Sequence, residues 1–271
     1  MSDPNYSSHL NQACSRNHNV NFNYVWDQSN THWTPMGQNP YDLILNQAKS
    51  SIHKFGSNPN LSNTKKDNEE TIWDGGDLYT FPDNAGEALQ IQSSNTNDTQ
   101  EIVVMGLDEN FEEKSQSITL TGTTSVSLTG KWSRVFRAYN NGFEDLAGDV
   151  IIHKDDNPST VYAKILASNN QTLMALYTIP ANYTGYLLKH HCSAQNTDSS
   201  SSINFVIHIK TREFSKVFRT KSIVSCSTNQ SETETLPFPI KLQPKTDIIF
   251  NKVSANGTGG SLNADFDIAL L

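Results

Sequence analysis

From Thr71 onward the apolar residues recur at every second position in short runs, each closed by Gly, Asn or Pro. A period of two marks strands with one face turned to a core. It is plain in ALQIQSS (Leu89, Ile91) and in SITLTG and SVSLTG (Ile118, Leu120, Val126, Leu128). In WSRVFRAYN, Trp132, Arg134, Phe136 and Ala138 alternate with Ser133, Val135 and Arg137. EIVVMGLD reads as a buried strand ended by Gly106 and a turn around DENFEE. Further strands are predicted in GDVIIHK, TVYAKIL, TLMALYTIP, TGYLLKHHC, INFVIHIK, KVFRTKSIV, LPFPIKL, TDIIFNKV and ADFDIALL. A strand every 10 to 15 residues, with no helical period, predicts an all-β body: a β-sandwich or jelly-roll-like fold, as one large or two small lobes. KDDNPST, residues 154–160, is either the break between two lobes or a long loop of a single sandwich.

Residues 1–69 have a different texture, rich in Asn, Ser and His. VNFNYVW alternates Val20, Phe22, Tyr24 and Trp26, which predicts a short strand, and WTPM adds a second at Trp33 ended by Pro35. PYDLILNQAKSSIHKF opens at Pro40, carries Leu43, Ile44 and Ile52, and is the best helix candidate, expected near residues 40–54. GSNPNLSNTKKDNEE then reads as a polar linker. The chain is thus expected to divide into an N-terminal arm and linker, 1–69, and a β-body, 70–271. Such an arm does not easily bury a core alone. Phe22, Tyr24, Trp26, Trp33, Leu43, Ile44 and Ile52 are therefore the expected assembly contacts, packing on a neighbouring subunit or on the body.

Composition narrows the function. A net charge of -8 with no basic cluster gives no footprint for nucleic acid. Only 18% of residues are charged, and the polarity comes from Asn, Ser, Thr and Gln, a surface that suits the packing of identical copies. No apolar run has the length of a membrane span, and the first 20 residues lack the apolar stretch of a signal peptide. Cys14, Cys192 and Cys226 are too few and too irregular for a disulfide framework and read as free thiols of a reducing cytoplasm.

Chemistry is sparse. No GxSxG, HExxH or Walker-type loop occurs. His190 and Cys192 would share a strand face, but no partner pair at ligand spacing accompanies them. Asp108, Glu109, Glu112 and Glu113, and again Asp155 and Asp156, offer oxygen ligands or paired carboxylates, yet read best as solvated turns. Tyr79, Phe81, Trp132 and Tyr139 suit a core better than a sugar-stacking platform. Arg134, Arg137, Arg212, Arg219 and Lys221 are expected on outer faces or at subunit contacts. In ETIWDGGDLYTFP, Trp73 is placed at the entrance to the body, Asp74-Gly75-Gly76 forms a turn in which Gly supplies positive φ, and LYTFP forms the first strand, ended by Pro82. No catalytic, cofactor-binding or metal-binding residue is expected.

The order of these motifs resembles a β-rich module of virion proteins in marine tailed bacteriophages, the cyanophages and pelagiphages. The resemblance rests on Trp73-Asp74-Gly75-Gly76, on Tyr79-Thr80-Phe81-Pro82, on GLDENF from Gly106 to Phe111, and on TLTGTT from Thr119 to Thr124. WSRVFRAYN, NQTLMALYTIPANYTGYL, VFRTK and the closing FDIALL extend it from Glu70 to Leu271. NNGFEDLAGDVIIHKDDNPST departs from the module in being shorter and more acidic, and the arm lies outside it. The resemblance implies a non-catalytic virion component, assembled in the host cytoplasm: a capsid-associated decoration or fibre-type protein. It would be a homo-oligomer with other capsid or tail proteins as partners. A neck, tail or baseplate accessory is the alternative within that class. A carbohydrate-binding host-attachment module, with a surface glycan as partner, is the alternative outside it, and a glycan hydrolase is more remote.

Overall fold

A computed structural model describes residues 23–27, 32–36, 40–59, 61, 68–195, 202–257 and 260–271. The chain divides into two compact units, Met1–Gln47 and Ala48–Leu271. The first unit holds an antiparallel hairpin of β1 (Asn23–Asp27) and β2 (His32–Met36), with Trp26 opposite Trp33, followed by helix α1 (Pro40–Gln47). Val20, Phe22 and Cys14 lie outside the described residues. The second strand does not stop at Pro35, which sits opposite Tyr24. A two-stranded ribbon has a free edge on each strand, where proline is tolerated.

In the second unit the strands are, in chain order, β3 (Ser50–Asn58), β4 (Glu70–Thr71), β5 (Leu89–Ser93), β6 (Glu101–Leu107), β7 (Glu113–Thr119), β8 (Val126–Ser127), β9 (Arg134–Asn140), β10 (Val150–Lys154), β11 (Asn157–Ile165), β12 (Leu176–Thr178), β13 (Gly185–Gln195), β14 (Asn204–Arg212), β15 (Arg219–Ser227), β16 (Gln230–Leu242), β17 (Asp247–Ala255) and β18 (Ser261–Leu270). The helix expected over 40–54 therefore ends at Gln47, and its second half is β3. Tertiary pairing decides this: β3 lies against β18 along its whole length, from Ser50 opposite Leu270 to Asn58 opposite Leu262. The same pairing puts the boundary between arm and body at Gln47/Ala48 rather than at residue 70.

β3 and β4 with β12 to β18 make one lobe. One sheet has the order β16-β13-β18-β3, the other β15-β14-β17-β12, with β4 also on β17. Four antiparallel pairs nest inside one another along the chain: β3 with β18, β12 with β17, β13 with β16, β14 with β15. Two sheets of four strands each, wound in this order and with β4 added to the second, form a jelly roll. Period-two burial builds its core. In β14, Phe205, Ile207 and Ile209 point inward and Val206, His208 and Lys210 outward, while β18 buries Leu262, Ala264, Phe266 and Ile268. Phe250 of β17 stacks on Phe266 of β18 at 4.9 Å, which fixes sheet on sheet. Gly56 is required at the crossing, because a Cβ there would stand 2.0 Å from the backbone N of Ala175.

The second lobe, β5 to β11, is inserted between β4 and β12. Its sheets have the orders β11-β10-β5-β8 and β7-β6-β9. Leu89, Ile91, Val150 and Ile152 on the one, and Ile102, Val104, Ile118 and Ala138 on the other, belong to the same apolar core. Residues 154–160, read as either a lobe break or a long loop, form a tight hairpin with Lys154 opposite Asn157 and Asp155-Asp156 at its tip. The chain passes between lobes at two other places, 72–88 and 166–175. The first holds LYTFP, which pairs with no strand among the described residues; the Tyr79 N–H donates to the Thr71 hydroxyl at 2.9 Å.

Candidate functional site

The seam between the lobes holds a cluster of buried charge. Arg134 lies opposite Leu107, beyond a bulge at Phe136 in β9, and points into the seam, only 2% exposed. Asp247, at the start of β17, is as deeply buried. Arg134 Nε donates to Asp247 Oδ1 at 2.7 Å and Nη2 to Oδ2 at 3.0 Å, a two-pronged pair. Arg212 of β14 donates to the same carboxylate through Nε at 2.9 Å, and the Thr178 hydroxyl donates to Oδ1 at 2.6 Å. One aspartate thus faces two guanidiniums. The surplus charge is spread over ring faces: Phe81 lies 5.0 Å from both guanidinium carbons, Phe111 lies 4.8 Å from that of Arg134, and Phe218 lies 4.6 Å from that of Arg212. Pro82 O, Ser133 O and Asn84 Oδ1 accept the remaining Arg134 donors. Phe111 reaches this cluster from the β6–β7 turn with φ at +66°, a conformation a bulky side chain holds only under constraint.

On another stretch of the seam the lobes leave an open groove of about 670 Å³. β3 forms one wall with Ser51 to Phe55; Met105, Gly106, Glu113 to Ser115, Phe136 and Arg137 form the other; Gln171 to Leu173 and Tyr177 close it. Lys54 is 7% exposed, and its ammonium donates to Phe136 O. Burial, with Arg137 nearby, pushes its pKa down to about 7. Tyr177 is 1% exposed, its ring 4.8 Å from that of Phe136, and its hydroxyl has no hydrogen-bond partner among the described residues.

The turn at Trp73, Asp74, Gly75 and Gly76 is built from local bonds. Gly76 N–H donates to Trp73 O at 3.3 Å, the Trp73 indole donates to Gly76 O at 2.8 Å, and Gly76 has φ at +65°. Gly75 lies under the indole, where a Cβ would stand 2.1 Å from the ring. Asp74 Oδ2 accepts from Leu173 N–H at 2.7 Å while Oδ1 is buried without a partner among the described residues, and burial pushes this carboxyl up to about 7.

The other sequence candidates are placed apart. Tyr79 and Trp132 are buried and Phe81 belongs to the arginine cluster, so these rings form no exposed platform. Asp108 Oδ1 accepts from the N–H groups of Asn110 and Glu112 at 2.8 and 3.0 Å, which makes the first acidic cluster a tight turn. Among the described residues no group of three or more His, Cys, Asp or Glu is placed to hold a metal ion. His190 and Cys192 share the inward face of β13, and burial pushes the Cys192 thiol up to about 12. Arg134 and Arg212, expected on outer faces, lie in the seam instead, whereas Arg137, Arg219 and Lys221 are exposed. Ile52 is part of β3, packed against the body core; Ile44 is half-buried in α1, and Leu43, Tyr24, Trp26 and Trp33 sit on α1, β1 and β2. The alternation in β9 already set Arg134 among Trp132, Phe136 and Ala138, which was a readable sign of a buried cation. Lys54 and Asp247 carried no such sign.

No protein-family model and no curated protein matches the chain. Among solved structures it is similar to that of infectious bursal disease virus Gt strain, at 11% identity and a TM-score of 0.23, over 83% of this chain and 72% of that one. The VP2 subviral particle of the same virus matches at 12% identity and a TM-score of 0.22, over 83% and 72%. The PBSX exported protein XepA matches at 8% identity and a TM-score of 0.19, over 92% and 99%. Superpositions this loose carry no argument about function.

Proposed function

We propose that this chain is a non-catalytic structural component of a tailed-phage virion: a capsid-associated decoration or fibre-type protein that works as a homo-oligomer. The observation that carries the reading is the nested jelly-roll pairing, an architecture used by viral capsid and lectin domains. The motif order from Trp73 to Leu271, resembling a phage virion module, supports it, and so does the deep burial of the seam charges in structural bonds. The arm serves as the assembly element in this reading, through Phe22, Tyr24, Trp26, Trp33, Leu43 and Ile44. Each such side chain is worth about 1.5–3 kcal/mol once covered. Weak contacts repeated over a symmetric particle then hold firmly through effective concentration.

Mass spectrometry of purified particles tests the proposal. The chain should be present in many copies, and its position along the particle separates a head protein from a neck, tail or baseplate accessory. Presence in infected-cell lysate with absence from particles overturns it. Deleting residues 1–47, which spares β3, should leave a folded body that associates more weakly. A glycan array separates the lectin-like use of a jelly roll from the structural one.

A further inference from the structure

The groove between the lobes has its own chemistry, independent of any role in a particle. It is concave, lies at a junction between lobes, and falls within the size range of small-molecule sites. Its titratable and charged side chains are His53 and Lys54 from β3, Glu113 and Lys114 from β7, Arg137 from β9 and Tyr177 from β12. Two of the cationic or basic groups are engaged elsewhere: His53 pairs with Asp267 at 2.6 Å, and the Lys114 ammonium donates to Thr129 O at 2.6 Å and Lys131 O at 3.1 Å. Lys54 places its amine in the wall with the Phe136 carbonyl as acceptor, the exposed Arg137 guanidinium lies beside it over the Tyr139 ring, and the buried Tyr177 hydroxyl has no partner among the described residues. The unmet need is thus for an acceptor carrying negative charge. Ile52, Met105, Phe136 and Leu173 supply apolar surface around it.

We infer that this groove is a binding site for a small organic monocarboxylate with an apolar body. The carboxylate lies between the Lys54 amine, the Arg137 guanidinium and the Tyr177 hydroxyl, and the body lies along Phe136 and Ile52. Glu113, the one acidic side chain among the described lining residues, limits the charge to a single carboxylate and turns away dianions. The Lys54 amine, half-protonated near neutrality in the empty groove, takes up a proton as the anion arrives.

Titration calorimetry and NMR on the full chain test this with benzoate, its neutral counterpart benzamide, and the dianion phthalate. Benzoate should bind at least about tenfold tighter than either, a difference of about 1.4 kcal/mol. Binding at pH 8, repeated in buffers of different ionisation heat, should show proton uptake. Lys54→Met should abolish both the preference over benzamide and the proton uptake. Tyr177→Phe, which removes an oxygen that has no partner to lose among the described residues, should weaken benzoate several-fold and keeps the test standing if the lysine variant does not fold. Equal binding of benzoate and benzamide overturns the proposal. So does a Tyr177→Phe or Lys54→Met variant that binds benzoate as the parent does, or no binding of benzoate by about 10 mM, weaker than any useful site.

Discussion

Two stretches of one seam handle buried charge in opposite ways. Around Asp247 the lobes close on an anion held by two arginines and a threonine, with aromatic faces taking the excess positive charge. Around Lys54 they stand apart, and a buried amine and a buried phenol sit in the wall of an open groove. The residues are near neighbours, since Arg134 and Phe136 sit two apart on β9. The contrast teaches that burial alone does not say what a charge is for. A charge whose every donor and acceptor is met holds structure together, and one left partly unmet marks a place where something else fits.

The largest test breaks the closed side. Asp247→Ala strands two guanidiniums in the seam and should cost about 3–5 kcal/mol in urea unfolding. The open side should respond with the opposite sign. Lys54→Met replaces a buried amine by an apolar side chain of similar length, and should stabilise the body by about 1–4 kcal/mol at pH 6. The folded-state pKa is about 7 against an ordinary 10.5, so between those values the unfolded chain binds more protons. The parent should therefore gain stability as pH rises across that window, while the variant lacks this gain.

Asp74 offers a third and smaller test. Its carboxyl is raised from 3.8 to about 7, so the folded chain binds more protons over that interval, and stability should fall as pH rises through it. Asp74→Asn should flatten the slope and gain about 1–3 kcal/mol at pH 8. The smallest effect concerns chemistry rather than stability. With the thiol of Cys192 pushed up to about 12 in the core, and that of Cys226 also raised by burial, a maleimide at pH 7.5 should label both slowly until the body is unfolded.

Most of the strand content was legible, because a buried face on a strand writes itself into every second residue. β5, β6, β10, β13, β14, β17 and β18 lie where the alternation put them. β3 was missed because SSIHKF has no strong period of its own and takes its form from β18, more than 200 residues away in sequence. LYTFP was misread for the converse reason: alternating Leu78, Tyr79 and Phe81 suggest a strand, but this passage between lobes has no ladder to join among the described residues. Of the site nothing was read correctly: Arg134 stood in an apolar register of the sequence but was expected on an outer face or at a subunit contact. Its partners Asp247 and Arg212 lie 113 and 78 residues away, and local pattern carries no information about pairing at such range.

The nesting of strand pairs has a consequence in time. The insert lobe, β5 to β11, is contiguous and can collapse as soon as it leaves the ribosome, since each of its sheets needs only residues already made. The jelly roll cannot. Its first strand must wait for β18, which also fills the gap between β13 and β3. Until then β3 and β13 present bare edges, the kind that recruit strands from other chains. A nascent chain stalled before Ser261 would therefore carry one finished lobe and one adhesive half-shell. The closing of the outermost pair is the moment at which the molecule becomes safe to release.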